Sequence, residues 1–266
     1  MLAKAELKRF RAAISRHGRK RSGLSVCEGP RPCLELVRAR PDWIRLAVVS
    51  DSVPLSEAVQ SCLEALEEQG LSPRYTEPSQ FESLALTPHP QGMAILFEPE
   101  VRKAESAGVG ADPFALVLDR VSDPGNLGTI LRTAWAAGLR SVWLTPGTAD
   151  PFAPRTVRAG MGAQFGLDVV MSPDLEELWD MLSAKGLKDC WLADSRGGIS
   201  CFEPEFELPG AALVIGNEAH GCAQLPGARS VSIPMPGPAD SLNVAQAATV
   251  LLLEAVRRGT PGGAAH

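Results

Sequence analysis

The sequence predicts an α/β protein of two domains, the second organised on a mostly parallel six-stranded sheet. Three observations carry that expectation. Short β-rich apolar runs alternate with helical stretches, the pattern of a parallel sheet covered on both faces. A stretch without apolar periodicity, "PEVRKAESAGVGADP", interrupts the alternation and reads as a linker over residues 99–112. The 266 residues are 45% hydrophobic, which is enough for more than one core.

Taken in order, residues 1–98 form the first domain. A basic helix leads into the strand "LSVCEG", a helix after Pro32, the strand "IRLAVVS", a helix from about Leu55 to Glu68, and the strand "GMAILFE". Residues 113–266 form the second. Its strands are "FALVLD", "SVWLT", "LDVVM", "CWLAD", "AALVIGN" and "SVSIPM", with helices between them and one at the end. That last helix is read from Val244, Ala247, Ala248, Leu251, Leu252 and Ala255, which recur at i, i+3, i+4, i+7, i+8 and i+11. Arg257 and Arg258 suit its last turn, and Gly259 with Pro261 stops it.

Charge is unevenly placed. The net charge is −5, yet Met1 to Arg21 holds eight Lys or Arg against the single acid Glu6. A basic arm on an acidic body can grip phosphates locally; the same charges also suit an ordinary solvated helix face. No apolar run reaches bilayer length and the N-terminus lacks the apolar core of a secretory signal, so a cytoplasmic protein is expected, off the membrane. The six cysteines show no CxxC pair and read as reduced, buried hydrophobes. The four histidines are dispersed, so no metal site is expected. There is no GxSxG elbow and no Walker A loop, and "GMGAQFG" has the wrong spacing for a dinucleotide fingerprint.

Ligands of parallel sheets bind beyond the carboxyl ends of the strands, which directs attention to three loops. "RVSDPGNLG" follows "VLD" and opens a helix carrying Arg132; "NEAHG" follows "LVIG"; and a Pro- and Gly-rich turn ending Ser241-Leu242-Asn243 precedes the last helix. Singly, Asn126 and Asn243 suit helix caps, Gly128, Gly216 and Gly221 suit turns, and Glu218 and His220 suit solvent. Their joint occurrence at three strand ends is what folding alone does not demand.

Together "DPGNLGTILRTAWAAG", "VIGNEAHG" and "IPMPGPADSLNVAQAA" resemble, in order and spacing, the three motifs of the SpoU/TrmH family of RNA 2′-O-ribose methyltransferases, in the SPOUT class. "LSVCEG" and "PHPQGMAIL" resemble, more loosely, the opening and closing strands of that family's ribosomal-protein-like RNA-binding domain. "PRTVRAGMGA" is similar to a further family segment, with Gly160 where Ser is common; Ala245 likewise replaces a frequent Ser.

The resemblance implies a deep trefoil knot, S-adenosylmethionine as cofactor and a homodimer, with the last helix, broadened by Val250 and Leu253, in the interface. It assigns cofactor contacts to Gly216, Ile233 and Leu242, mostly through backbone groups. The catalytic set becomes Asn126, Arg132, Glu218, Ser241 and Asn243, with Glu218 orienting Asn126 and Arg132, and no metal is required. Lys8, Arg9, Arg19, Lys20, Arg21, Arg155 and Arg158 supply RNA phosphate contacts. The substrate it implies is ribosomal RNA, that of the large subunit (23S); the alternatives are the same reaction on tRNA, or a non-catalytic RNA-binding factor in ribosome assembly.

Overall fold

The computed structural model describes residues 2–104, 112–172, 174–218 and 220–259. Most of the expected linker (residues 105–111) and Pro261 lie outside the described residues. In chain order the first elements are α1 (Lys4–Ile14), α2 (Arg16–Ser22), β1 (Ser25–Glu28), α3 (Pro30–Ala39), β2 (Ile44–Ser50), α4 (Glu57–Glu68), β3 (Arg74–Thr76), α5 (Pro78–Glu82) and β4 (Met93–Phe97). There follow β5 (Arg102–Lys103), β6 (Ala115–Leu118), α6 (Pro124–Ala136), β7 (Ser141–Leu144), α7 (Pro154–Gly160), α8 (Ala163–Gly166), β8 (Asp168–Met171) and α9 (Leu175–Ala184). The chain ends with β9 (Asp189–Ala193), β10 (Ile199–Ser200), β11 (Ala211–Ile215), β12 (Arg229–Ser232) and α10 (Val244–Arg257).

Two compact units emerge. The first comprises Met1–Glu100 together with Asp150–Gly166, and the second Val101–Ala149 together with Leu167–His266. In the first, a four-stranded sheet has the order β1-β4-β2-β3, antiparallel except for the β2/β3 pair. Residues 150–166 join this unit because two of their aromatic rings need a core. Phe152 meets Trp43 edge-on at 5.5 Å and Phe165 meets Phe97 edge-on at 5.2 Å, a geometry that aligns ring edges with the electron-rich faces. The basic segment is two helices rather than one. It breaks at Ser15, whose hydroxyl caps α2 by accepting from the Gly18 N–H at 3.0 Å. Any Cβ at Gly18 would come within 2.0 Å of the Ala12 carbonyl oxygen.

In the second unit the sheet has eight strands, ordered β10-β12-β9-β11-β6-β7-β8-β5, and every pair is parallel. This corrects the expected six. The two extra strands, β5 and β10, are two-residue edge pairings, too short to carry any periodicity in sequence. The central strands β6 and β11 are buried at every position, which is why they read as continuous apolar runs rather than alternating ones.

The last helix is fixed by charge as well as by its apolar stripe. Glu254 is buried and accepts from Arg257 at 2.7 Å and from Arg258 at 2.6 Å. Arg258 also donates to the carbonyls of Cys201, Glu203 and Phe206, which staples the chain after β10 to α10. These arginine hydrogen bonds hold the Glu254 carboxyl down to about 2. A depressed carboxylate stabilises the fold fully above its unfolded value, roughly 4.3, and that stability is lost as pH falls towards the folded value. Glu254→Gln is therefore expected to lower the melting temperature by several degrees at pH 7, and the difference from wild type should shrink as thermal scans move from pH 5 towards pH 2.

Candidate active site

Strand order reverses at β6: β7, β8 and β5 extend to one side, and β11, β9, β12 and β10 to the other. Beyond the carboxyl ends of the strands at this switch point, side chains are free of the ladder and two loops diverge, which opens a crevice. A pocket of about 540 Å³ lies beside it, beyond the carboxyl ends of β9, β11 and β12 and against the start of α10. Its lining includes Gly216 and Glu218 after β11, Ile233 after β12, and Ser241, Leu242 and Asn243 ahead of α10.

Local capping chemistry decides which asparagine is free to act. At the start of α6 the cap is Asp123, whose Oδ1 accepts from the N–H groups of Gly125 at 2.7 Å and Asn126 at 2.9 Å, with Pro124 at the first helical position. The Asn126 side chain is thereby released to point elsewhere. Asn243 does both jobs: its Oδ1 caps α10 by accepting from the Ala245 N–H at 2.9 Å, and its Nδ2 donates to Asn126 Oδ1 at 3.1 Å.

The amide orientations follow from the hydrogen bonds. An ionised carboxylate only accepts, so Glu218 Oε1 takes the Asn126 Nδ2 donor at 3.0 Å. That turns the Asn126 oxygen towards Asn243, which must present its nitrogen there and its oxygen to the helix. The result is a directional chain, Asn243 to Asn126 to Glu218, joining the three loops. Ser122 Oγ and Asn217 Nδ2 stand at 3.5 Å from the other Glu218 oxygen.

Gly216 is required by close approach. A Cβ there would stand 2.2 Å from the Cys222 nitrogen, because the loop folds back on itself. Asn217 and Gly221 exchange backbone hydrogen bonds at 3.0 and 2.9 Å to close it.

Arg132 stands apart from this set. It is exposed, and among the described residues its guanidinium has no hydrogen-bond or ion-pair partner, so Glu218 holds Asn126 but not Arg132. Six residues separate Arg132 from Asn126 on α6, which places it about 9 Å further along and on another face. Ser241 is exposed at the pocket rim.

The basic residues belong to the first unit. Lys8, Arg9, Lys20, Arg21, Arg155 and Arg158 are exposed. Arg19 differs: its Nε pairs with Asp150 at 3.0 Å and an Nη1 donates to the Ile14 carbonyl at 2.9 Å. Among the described residues there is no His, Cys, Asp and Glu group arranged to hold a metal, and no helix long and apolar enough to cross a membrane. All six cysteines are free thiols, and burial pushes Cys190 and Cys222 up to about 12.

The structure adds a fourth strand-end loop that sequence reasoning passed over. Asp194, Ser195 and Arg196 follow β9 and line the same pocket. The signal was present, since "DSRGG" is a polar, Gly-rich turn directly after the apolar strand "CWLA".

A parallel sheet with a hydrogen-bonded Asn, Asn and Glu set beside a strand-end pocket defines an α/β protein with the layout of an enzyme. The sequence pattern of the SpoU rRNA Methylase family matches residues 113–253, and the chain belongs to that family. It is 38% identical over 179 residues to the 23S rRNA (guanosine(2553)-2′-O)-methyltransferase RlmP of Bacillus subtilis (strain 168), covering 65% of this chain and 67% of that one. To the 23S rRNA (uridine(2479)-2′-O)-methyltransferase of Streptomyces viridochromogenes it is 35% identical, covering 58% of this chain and 56% of the relative. Among solved structures, the SpoU methyltransferase AviRb from Streptomyces viridochromogenes in complex with AdoMet superposes with a TM-score of 0.80 at 29% identity, over 96% of this chain and 99% of that one.

Replacing Asn126 removes the link between Glu218 and Asn243 without disturbing the Asp123 cap. Asn126→Ala is expected to leave the melting temperature nearly unchanged and to cut methyl transfer at least tenfold, measured as label incorporated into RNA.

Proposed function

We propose that this protein transfers a methyl group from S-adenosylmethionine to a ribose 2′-hydroxyl of ribosomal RNA, of the large-subunit (23S) class, and acts in the cytoplasm as a homodimer with a deep trefoil knot. The observation that carries the reading is the hydrogen-bonded chain Asn243–Asn126–Glu218 at the rim of the Gly216 pocket, in a member of the SpoU rRNA Methylase family. Relatives named as 23S rRNA 2′-O-methyltransferases and an AdoMet-bound neighbour support it.

The pocket's chemistry suits the cofactor. Gly216 lines the pocket, and its bare backbone suits close contact with a flat heterocycle. Ile233, Leu242 and Leu251 give apolar cover, and the carboxylates of Asp194, Glu218 and Asp240 outnumber Arg196, which pairs with Asp194, in a pocket that must accept a cation. When bound, S-adenosylmethionine supplies an electrophilic methyl on a sulfonium that is already a good leaving group.

The remaining chemistry belongs to the chain. The ribose hydroxyl must be held in line at near-attack distance, and its proton must leave as the new bond forms. Ser241 and Asn243 present hydroxyl and amide groups at the rim for that hold, and Glu218 fixes the amides through Asn126. A guanidinium is a donor and not an acceptor, so the role of Arg132 is to stabilise the developing alkoxide by charge and hydrogen bonding. The proton then passes to a phosphate oxygen of the RNA or to water.

Lys8, Arg9, Arg19, Lys20, Arg21, Arg155 and Arg158 supply phosphate contacts, which give salt-dependent affinity without sequence reading; Arg19 must exchange its Asp150 partner to take part. The homodimer finds support in an apolar patch: Trp135 on α6 and Leu253 and Val256 on α10 are exposed, and those two helices pack together. Light scattering at micromolar concentration is expected to give twice the chain mass.

The deciding experiment supplies radiolabelled S-adenosylmethionine with total ribosomal RNA and, separately, total tRNA, and maps label by nuclease resistance of the 2′-methylated linkage. Label is expected in ribosomal RNA, reduced about 10²–10³-fold by Arg132→Ala. Near-wild-type turnover in Arg132→Lys would remove the guanidinium-specific role.

A further inference from the structure

One wall of the pocket is the loop between β11 and β12, and its hold on the sheet comes from a residue without a part in the scheme above. Asp119 directly follows β6, and its side chain is 3% exposed. It accepts from the Thr145 hydroxyl at 2.7 Å, from the Ala223 N–H at 2.9 Å and from Arg120 Nη2 at 2.8 Å. Its own N–H donates to the Ile215 carbonyl at 2.8 Å. Thr145 directly follows β7, Ile215 ends β11 and Ala223 closes the pocket loop, so one residue ties three strand ends together. Burial alone would raise the Asp119 pKa, but the Arg120, Ala223 and Thr145 donors outweigh it and hold the carboxyl below the usual carboxylate range.

The next residue adds a second tether. Arg120 has φ +57°, one of two non-glycine residues with positive φ among those described. In that left-handed conformation its carbonyl accepts from Asn217 Nδ2 at 2.9 Å, and its N–H donates to Thr145 Oγ1 at 3.2 Å. A bulky residue held in this region marks a place where the surroundings over-determine the backbone. The two tethers grip the loop at both ends, Asn217 and Ala223. Between them, Asn217 pairs with Gly221, and Cys222 lies so close to Gly216 that no side chain fits there.

We propose that Asp119, together with the left-handed Arg120, is a positioning residue for methyl transfer, clamping the 216–223 loop so that Gly216 walls the cofactor pocket and Glu218 meets Asn126. The proposal rests on the methyltransferase reading of the pocket. Asp119 touches neither substrate nor cofactor in this scheme; it acts through the loop. Asparagine at 119 keeps the shape but turns a donor towards N–H groups that need an acceptor. Glycine at 120 keeps the carbonyl and relieves the backbone, but removes the guanidinium from the carboxylate.

Two measurements test it on the full chain: hydrogen–deuterium exchange without cofactor, and KM and kcat with S-adenosylmethionine and 23S rRNA. Asp119→Asn is expected to speed exchange in the 216–223 loop at least tenfold while β6 and β11 stay protected. KM for S-adenosylmethionine should rise at least tenfold, with kcat at saturation within threefold, because bound cofactor reorders the loop. Arg120→Gly should show the same split at threefold or more without a lower melting temperature, and it carries the test alone if Asp119→Asn does not fold. Unchanged loop exchange in a folded variant overturns the clamp, and so does a lower melting temperature with no rise in KM. A wild-type protein that neither binds nor uses S-adenosylmethionine defeats the methyltransferase reading instead, while the exchange data still decide whether the clamp exists.

Discussion

The parallel pairing of β6 with β11 is the constraint on which the site depends. Ala115 to Leu118 lie beside Ala212 to Ile215, residue for residue, and both strands are buried along their whole length. Two strands almost a hundred residues apart in sequence therefore end at the same level. Their following loops leave side by side, and Asp119 and Arg120 meet the loop that carries Gly216 and Glu218. Parallel strands buried on both faces leave only their ends for polar chemistry, so the functional groups collect where the ladder stops.

Polar satisfaction shapes those ends. Each side chain in the chain from Asn243 to Glu218 has a defined donor or acceptor, and its orientation is transmitted from the carboxylate outward. A set arranged in this way is pre-organised, since no amide need turn over when a hydroxyl arrives. The same economy of roles appears in Asn243, which ends one helix and serves the site through opposite atoms of one amide. Arg132 follows a different rule. It is exposed and unpaired among the described residues, so its charge is not committed to the fold.

The two units divide the labour of burial differently. The first wraps an aromatic cluster of Trp43, Phe97, Phe152 and Phe165 that draws residues 150–166 away from the sheet they flank in sequence. The second relies on its buried strands and on the Glu254 staple, in which the buried carboxylate accepts from Arg257 and Arg258 while Arg258 also serves backbone carbonyls. The charged residues Lys8, Arg9, Lys20 and Arg21 of the N-terminal helices are exposed.

Much was legible in the sequence because it rests on local rules. Short β-rich runs mark the six expected strands of the second unit, continuously apolar at β6 and β11, the i, i+3, i+4 stripe marks α10, and the three strand-end motifs name Asn126, Glu218 and Asn243 together. Tertiary structure decided what depends on partners distant in sequence: the two-residue edge strands β5 and β10, the capture of residues 150–166 by the aromatic cluster, and the Arg19–Asp150 pair. Whether the Asn126 side chain caps its helix also lay there, because only the folded chain shows that Asp123 takes the cap and that Glu218 stands within reach. Periodicity and capping are written in neighbouring residues, whereas hydrogen-bond and packing partners are fixed by the topology that brings strand ends together.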